Sequence, residues 1–445
     1  MTYGYGSDQM AAPSMMRPDG KARIDLIELA MPFFVVIDFA YGAFYNALPE
    51  GLLTPIAALL FGGQTALAGI SILARPNWWR WRLFFIIFTL PMIWLIAHLV
   101  WRQEIDFPQM LRYLGGFYLG LMVLGHADRL PVRLIAWLAC AAILWVMVWS
   151  FTTPLYLHSG ETGIEEPVPG WWASIFGNGR LAPYHGGAEN PHSSGYMTLA
   201  FMLVVHQCWL AGVLRWQVMV VFVGLAMIYI IGCFSTQVLV AAVSYFGCYG
   251  MFSKRFSVPM KVVVVVVGVG LMAFILVENE QRKAHVRVDT NVKIEELGSG
   301  RLGTWIERVG IISARSPSQL WLGTGIGSDN MSSIIWRLKE TTSHNTYLTM
   351  IIENGIIGFI AYWSALVLMM LSLGRTGICL FAPVFVTAMI GNGLSLRPMP
   401  FMMFFLAVGV ATWSMMRRIE QRQMRMKALQ DAQAERRRPV GGPGF

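Results

Sequence analysis

Charge is scarce in this chain. Only 13% of its 445 residues are Asp, Glu, Lys or Arg, about half the ~25% usual in a soluble domain, while 56% are hydrophobic. That shortage excludes an ordinary water-solvated globule and makes lipid the solvent for most of the chain. Cysteine is scarce too. All five (Cys140, Cys208, Cys233, Cys248, Cys379) lie in apolar runs and none in a long polar loop, so neither a disulfide framework nor a metal site is expected. No cofactor is implied. The first apolar run is too long for a cleavable signal peptide and no small-residue cleavage pattern follows it. Internal repeats are absent. Acids are outnumbered, leaving a net charge of +9. In a soluble protein this would suggest nucleic acid, but here topology and anionic membrane lipid explain it, so no nucleic-acid partner is expected.

What the chain does have is long apolar runs. About twelve are spaced as membrane spans, near 24–44, 52–74, 83–101, 111–125, 132–152, 193–213, 216–233, 236–252, 261–278, 346–373, 377–391 and 400–416, most close to the ~20 residues that cross a bilayer. The expected fold is an all-α polytopic membrane protein. It divides into a disordered lead-in (1–20), spans 1–9 (21–278) with a polar loop at 153–192, a long polar loop at 279–345, spans 10–12 (346–416) and a basic tail (417–445). Most of the 34 Lys and Arg fall in one alternate set of short loops, among them Arg75, Arg129, Arg215, Lys254, Arg375 and the tail. The positive-inside rule then puts both termini in the cytoplasm and both polar loops outside; the resemblance set out below implies that the membrane is a bacterial inner membrane. The tail is expected to lie as a solvated helix against anionic lipid.

The two outer loops hold the candidate chemistry. The first carries Trp171, Trp172, Arg180, Tyr184, His185 and Asn190-Pro191-His192. The tryptophans suit an interfacial belt better than sugar stacking. In the second, Leu302, Trp305, Ile306, Val309 and Ile312 recur at helical spacing after Ser299. This predicts an amphipathic helix lying on the bilayer, with Arg301 in its first turn and Pro317 as its end. Gly323-x-Gly325-x-Gly327 reads as a turn that brings loop backbone close to substrate or bilayer, not as a dinucleotide fingerprint, since no strand precedes it. Thr342 and Ser343 read as caps for a span beginning at His344.

In a helix's first turn the macrodipole disfavours imidazolium, leaving His344 neutral and able to accept a proton. Arg301 and Arg180, from separate loops on one face, can grip a diphosphate through forked hydrogen bonds and stabilise charge on a phosphate leaving group. Asn345, Glu353, Asn190, His192 and Tyr184 are candidates to flank and orient these groups. Glu353, an ionisable group inside a span, is a candidate in its own right, although a structural partnership with a helix end explains it better. Asp38, His98 and His206 are polar residues expected to face the bundle, with no role assigned.

Ser299-Gly300-Arg301 with Trp305, Leu322 to Gly327, His344-Asn345-x-x-Leu348, Glu353-x-Gly355 and Gly358, preceded by Arg180 and Asn190-Pro191, resemble the O-antigen ligase and polymerase group of bacterial envelope glycosyltransferases. The chain departs from that pattern at His192, where a smaller or amide residue is expected. The resemblance implies a GT-C-like fold and a metal-independent, inverting transferase. Its donor would be a glycan on undecaprenyl diphosphate in the outer leaflet of the inner membrane. Arg301 and Arg180 would contact the diphosphate, and His344 would activate the acceptor hydroxyl. The acceptor would be a lipid A core sugar (ligase), a growing polysaccharide (polymerase) or a protein, with chain-length or export proteins as candidate partners. The rival reading is a secondary transporter of a polar or anionic solute, which would use mid-membrane ionisable residues and broken helices.

Overall fold

A computed structural model of the chain describes residues 26–44, 126–152, 155–156, 167–168, 191–233, 235–252, 257–263, 301–333 and 340–436, with isolated positions between 55 and 123 and at 266 and 270. The spans expected at 52–74, 83–101 and 111–125 and most of 261–278 lie outside the described residues, as do the lead-in, His98, Ser299 and the end of the tail.

The described chain is mostly helical. Its helices are α1 (Leu26–Phe44), α2 (Val132–Thr152), α3 (Pro191–Leu210), α4 (Trp216–Gly232), α5 (Thr236–Phe252), α6 (Arg301–Ser313), α7 (Pro317–Leu322), α8 (Thr346–Ser372), α9 (Gly374–Ile390) and α10 (Pro398–Arg436). Two antiparallel strand pairs interrupt the helical pattern. β1 (Leu155–Tyr156) joins β2 (Pro167–Val168), and β3 (Met331–Ser332) joins β4 (Glu340–Thr341). Among the described residues two helices, at Thr346–Ser372 and Pro400–Gln433, are long and apolar enough to cross a membrane.

The helices bury one face and leave another greasy. On α2, Trp137, Leu144 and Val148 point outward, while Ile135, Ala136, Ala139, Cys140 and Ile143 pack inward. α4 exposes Trp216, Val220, Ile228 and Ile231, and α8 exposes Ile360, Leu368 and Leu371. The interior holds polar groups instead: Asp38, Ser194, Thr198, His206, Gln207, Gln237 and Thr387 are all buried. Contiguous apolar surface over a partly polar interior suits lipid as the surrounding medium. His206 is enclosed by aromatic rings and shares a 2.6 Å hydrogen bond with Tyr245, so it serves packing within the bundle.

Alternating helix directions gather several termini at one end. Arg397, beside the start of α10, donates to Ser193 at the start of α3. The Thr346 amide at the start of α8 donates to Gly391 O, just past α9, at 3.2 Å. Ser194 of α3 lies 3.9 Å from Cys233 at the end of α4. At the opposite end Arg418 donates to Leu210 O, the final carbonyl of α3. The basic tail continues α10 without a break as far as Arg436, 39 residues in all, or about 58 Å at the usual rise, and its side chains from Ile419 to Gln433 are exposed.

Candidate active site

The loop between residues 301 and 345 is pinned from beneath α6. This helix is amphipathic as its spacing predicts, with Leu302, Ile306 and Val309 exposed. Its polar face is buried: Thr304 and Arg308 are both at 0% exposure. Arg308 Nε lies 3.5 Å from Asp329 Oδ1, both side chains being wholly enclosed, and Arg308 Nη2 donates to Met331 O at 3.0 Å. Asp329 Oδ2 accepts from the Ser343 amide at 2.8 Å and from the Thr349 hydroxyl at 2.7 Å. Trp305 Nε1 donates to Ser343 O at 2.9 Å. Both backbone polar groups of Ser343 are therefore taken by loop side chains, one from α6 and one from the segment after α7.

That grip sets the backbone of His344. Its φ is 50°, the only positive φ on a non-glycine among the described residues, a conformation costing about 1–2 kcal/mol. Strain of this kind persists only where the surroundings over-determine it. Here the clamp on Ser343 does so from one side. From the other, Asn345 caps α8, its Oδ1 accepting from the Tyr347 and Leu348 amides at 3.0 and 3.2 Å. His344 thus precedes the helix and does not occupy its first turn, and Asn345 takes the capping role expected of Thr342 and Ser343. Asn345 also ties α8 to α9 by donating to Met389 O at 3.0 Å.

Pro317 opens a helix where an ending was expected. α6 stops at Ser313, and Ser316 caps α7 in a reciprocal box with Gln319, placing Pro317 at the first helical position, where its missing amide hydrogen costs nothing. The glycine run has its own partner. α8 is broken at Gly355, with φ 67° and ψ −177°, which frees the carbonyls of Ile352 and Glu353 from their helical bonds. The Thr324 amide donates to Ile352 O and the Gly325 amide to Glu353 O, each at 3.0 Å. Arg315 adds a bond to Ile352 O at 2.8 Å. A Cβ at Gly323 would sit 2.3 Å from Glu353 O, and one at Gly355 2.3 Å from Trp321 O. The run therefore packs its backbone against the broken helix. Glu353, fully buried, belongs to that junction.

Arg301 begins α6 and reaches across to the end of α9. Its Nη1 donates to Ile390 O at 3.0 Å. The Gln237 amide, with its oxygen toward the guanidinium, accepts from Nη1 at 2.6 Å and Nη2 at 3.1 Å. Arg397 stands on the same 390–392 turn: its Nε donates to Asn392 O at 3.3 Å, and its guanidinium carbon lies 5.1 Å above the Tyr196 ring. Both cations act on His344. Burial, then the charges of Arg301 and Arg397, hold its imidazole below the ordinary histidine range, so the ring is neutral near pH 7. The macrodipole of α8 acts in the same direction.

Two of the expected groups, Arg301 and His344, thus come together from separate segments. Asn345 and Glu353 lie close by in sequence, holding a helix start and a helix break. His192 falls in the first turn of α3, but its side chain lies outside the description; Arg180, Tyr184 and Asn190 lie outside the described residues. Arg397, Gln237 and Tyr196 were not anticipated. The one signal available for Arg397 was a lone cation between two apolar runs, on the side where the charge bias should leave none. Arg308 and Asp329 were hidden because the polar face of an amphipathic helix ordinarily meets water. No family model matches the chain, and no curated protein matches it.

Proposed function

We propose that the protein transfers a glycan from an undecaprenyl-diphosphate-linked donor to a sugar hydroxyl at the outer face of the bacterial inner membrane. This is the reaction of an O-antigen ligase or polysaccharide polymerase, carried out within a GT-C-like bundle of about twelve spans. The observation that carries the reading is the convergence of Arg301 and His344, with Arg301's charge acting on a half-buried, neutral imidazole.

In this reading His344 takes the proton of the acceptor hydroxyl as its oxygen attacks the anomeric carbon. The bond from that carbon to the diphosphate breaks on the opposite face, inverting the configuration, and the electron pair leaves with the diphosphate. Arg301, together with Arg180 from the first outer loop, offsets the charge growing on the leaving group. In a water-poor site such stabilisation amounts to several kcal/mol. Fixed guanidiniums supply the compensation that a divalent ion would otherwise give, so turnover is expected to survive chelators.

The break in α8 favours a second reading. A discontinuous helix carrying a buried carboxylate is a transporter's device. Here, however, the freed carbonyls are met by Thr324, Gly325 and Arg315, which closes the break with protein and leaves those oxygens no duty toward a passing ion. Gene deletion with complementation separates the two. Loss of the gene should leave single lipid-linked repeats (polymerase) or polymer uncoupled from lipid A (ligase), and a His344→Asn copy should not restore wild-type glycan. Wild-type envelope glycan in the deletion strain removes the transferase reading.

A further inference from the structure

We propose that the extension of α10 is half of a two-helix coiled coil, and that its other half is an acidic helix of a different protein. The inference concerns the end of the bundle away from His344 and does not rest on the transferase reading.

The seam is written in the spacing. Met415, Ile419, Arg422, Met426 and Leu429 follow one another at intervals of four, three, four and three residues, the 3.5-residue repeat of a coiled-coil seam. All five are exposed on an unbroken helix. Charge is sorted around that seam. Arg418 and Arg425 flank it on one side, Gln423 and Gln430 on the other. The acids of this stretch, Glu420 and Asp431, fall on the opposite face, about 160–180° from Arg422 at ~100° per residue. There Arg417 precedes Glu420 by three residues and Lys427 precedes Asp431 by four, so that face is neutral while the seam face carries three cations and no acid.

The cation within the seam selects the partner. A polar group at one seam position fixes register and partner, and a charge enclosed there needs an opposite charge beside it. The partner must therefore present a carboxylate opposite Arg422, with further acids along the flank that meets Arg418 and Arg425. A second copy does not qualify, since it would set Arg422 against Arg422. The trunk of α10 is also buried in its own bundle from Phe401 to Ala411, which keeps two trunks apart. Lipid is the weaker match. The bundle ends where Arg418 donates to Leu210 O, and Leu429 lies about 16 Å further along the axis, roughly two Debye lengths at physiological salt.

The test is binding to the purified full-length protein in detergent. The probe is a designed peptide about three heptads long, with leucine along its seam, glutamate at the central seam position and glutamate on one flank. Wild type should bind it, and Arg422→Glu should weaken binding about ten-fold or more, the loss of one close charge pair. A peptide with lysine at the central position should reverse that preference. Arg422 is exposed, so thermal unfolding should be the same in both proteins. A wild type that ignores the acidic peptide, or equal binding by wild type and Arg422→Glu, overturns the proposal.

In cells, a photoreactive benzoylphenylalanine placed at Met426 should give an adduct with a different protein, and Arg422→Glu should abolish it. The same group at Asp431, on the other face, should give none. An adduct of twice the chain's mass, equal adducts at both positions, or none at Met426 would each count against the acidic partner. Met426→Cys carrying an environment-sensitive dye should emit as in water when the protein sits in phosphatidylglycerol vesicles, and blue-shifted emission there would assign the face to lipid. No arm measures glycan transfer, so the transferase reading stands or falls separately.

Discussion

His344 carries a backbone cost that its neighbours hold in place. Asparagine tolerates the left-handed region, so His344→Asn should fold as well as wild type, with an unfolding midpoint within a few degrees, and lack activity. An unfolded His344→Asn protein would show that the imidazole at this position is structural. The positive charge around the neutral ring makes a second prediction. Burial and two guanidiniums depress the His344 pKa, so the base is already deprotonated at neutrality and kcat/KM should be flat there, falling only below the usual histidine range. Removing a positive charge lets the imidazolium form more easily, which raises the pKa. The acid limb of the residual activity in Arg397→Gln should therefore move to higher pH; a limb that stays in place would mean that Arg397 does not act on the base. None of this geometry was legible in the sequence, which offered His344 and Arg301 as residue types in a motif. The positive φ depends on Asp329 and Trp305 reaching Ser343 from 14 and 38 residues away.

At the level of elements, the loop is held by two long-range joints. The Arg308–Asp329 pair is one. Breaking a fully buried pair by removing one partner costs about 3–5 kcal/mol, so Asp329→Ala should loosen the loop. Limited proteolysis should then cut between residues 301 and 345 at protease levels that leave wild type intact, and equal resistance would deny the clamp. Gly323 against Gly355 is the other. Gly355→Ala meets both a carbonyl and a backbone conformation nearly confined to glycine, a strain of about 1–3 kcal/mol before the clash is counted. Gly310→Ala, in an α6 position with open space around the added carbon, should instead stabilise by up to ~1 kcal/mol. Thermal unfolding of the two variants should move in opposite directions. The apolar runs themselves were readable almost to the residue: 132–152 became Val132–Thr152 and 236–252 became Thr236–Phe252. Hydropathy is a property of each run alone. The break at Gly355 is not, since it exists only because a loop more than 25 residues upstream supplies its hydrogen bonds.

At the scale of the whole molecule, the helix directions put the His344 end and the basic extension of α10 at opposite ends of the bundle. A cysteine at Asn330 should react with a membrane-impermeant maleimide in intact cells, and one at Gln430 only after permeabilisation. Labelling of both from the same side would undo the proposed orientation. The charge bias is what predicts that orientation, whereas the unbroken continuation of α10 into its tail was not legible, because nothing in a basic, Met-rich stretch says that it prolongs the helix before it. The account as a whole stands on one event, an outer-face imidazole removing a proton while guanidiniums receive a leaving diphosphate. Its most direct measurement is release of polyprenyl diphosphate from a lipid-linked glycan donor, followed alongside new glycosidic bonds, by the purified protein in proteoliposomes. Wild type should release one polyprenyl diphosphate for each bond formed, and His344→Asn should bind the donor with wild-type affinity and release none. Release by His344→Asn at the wild-type rate would contradict the account.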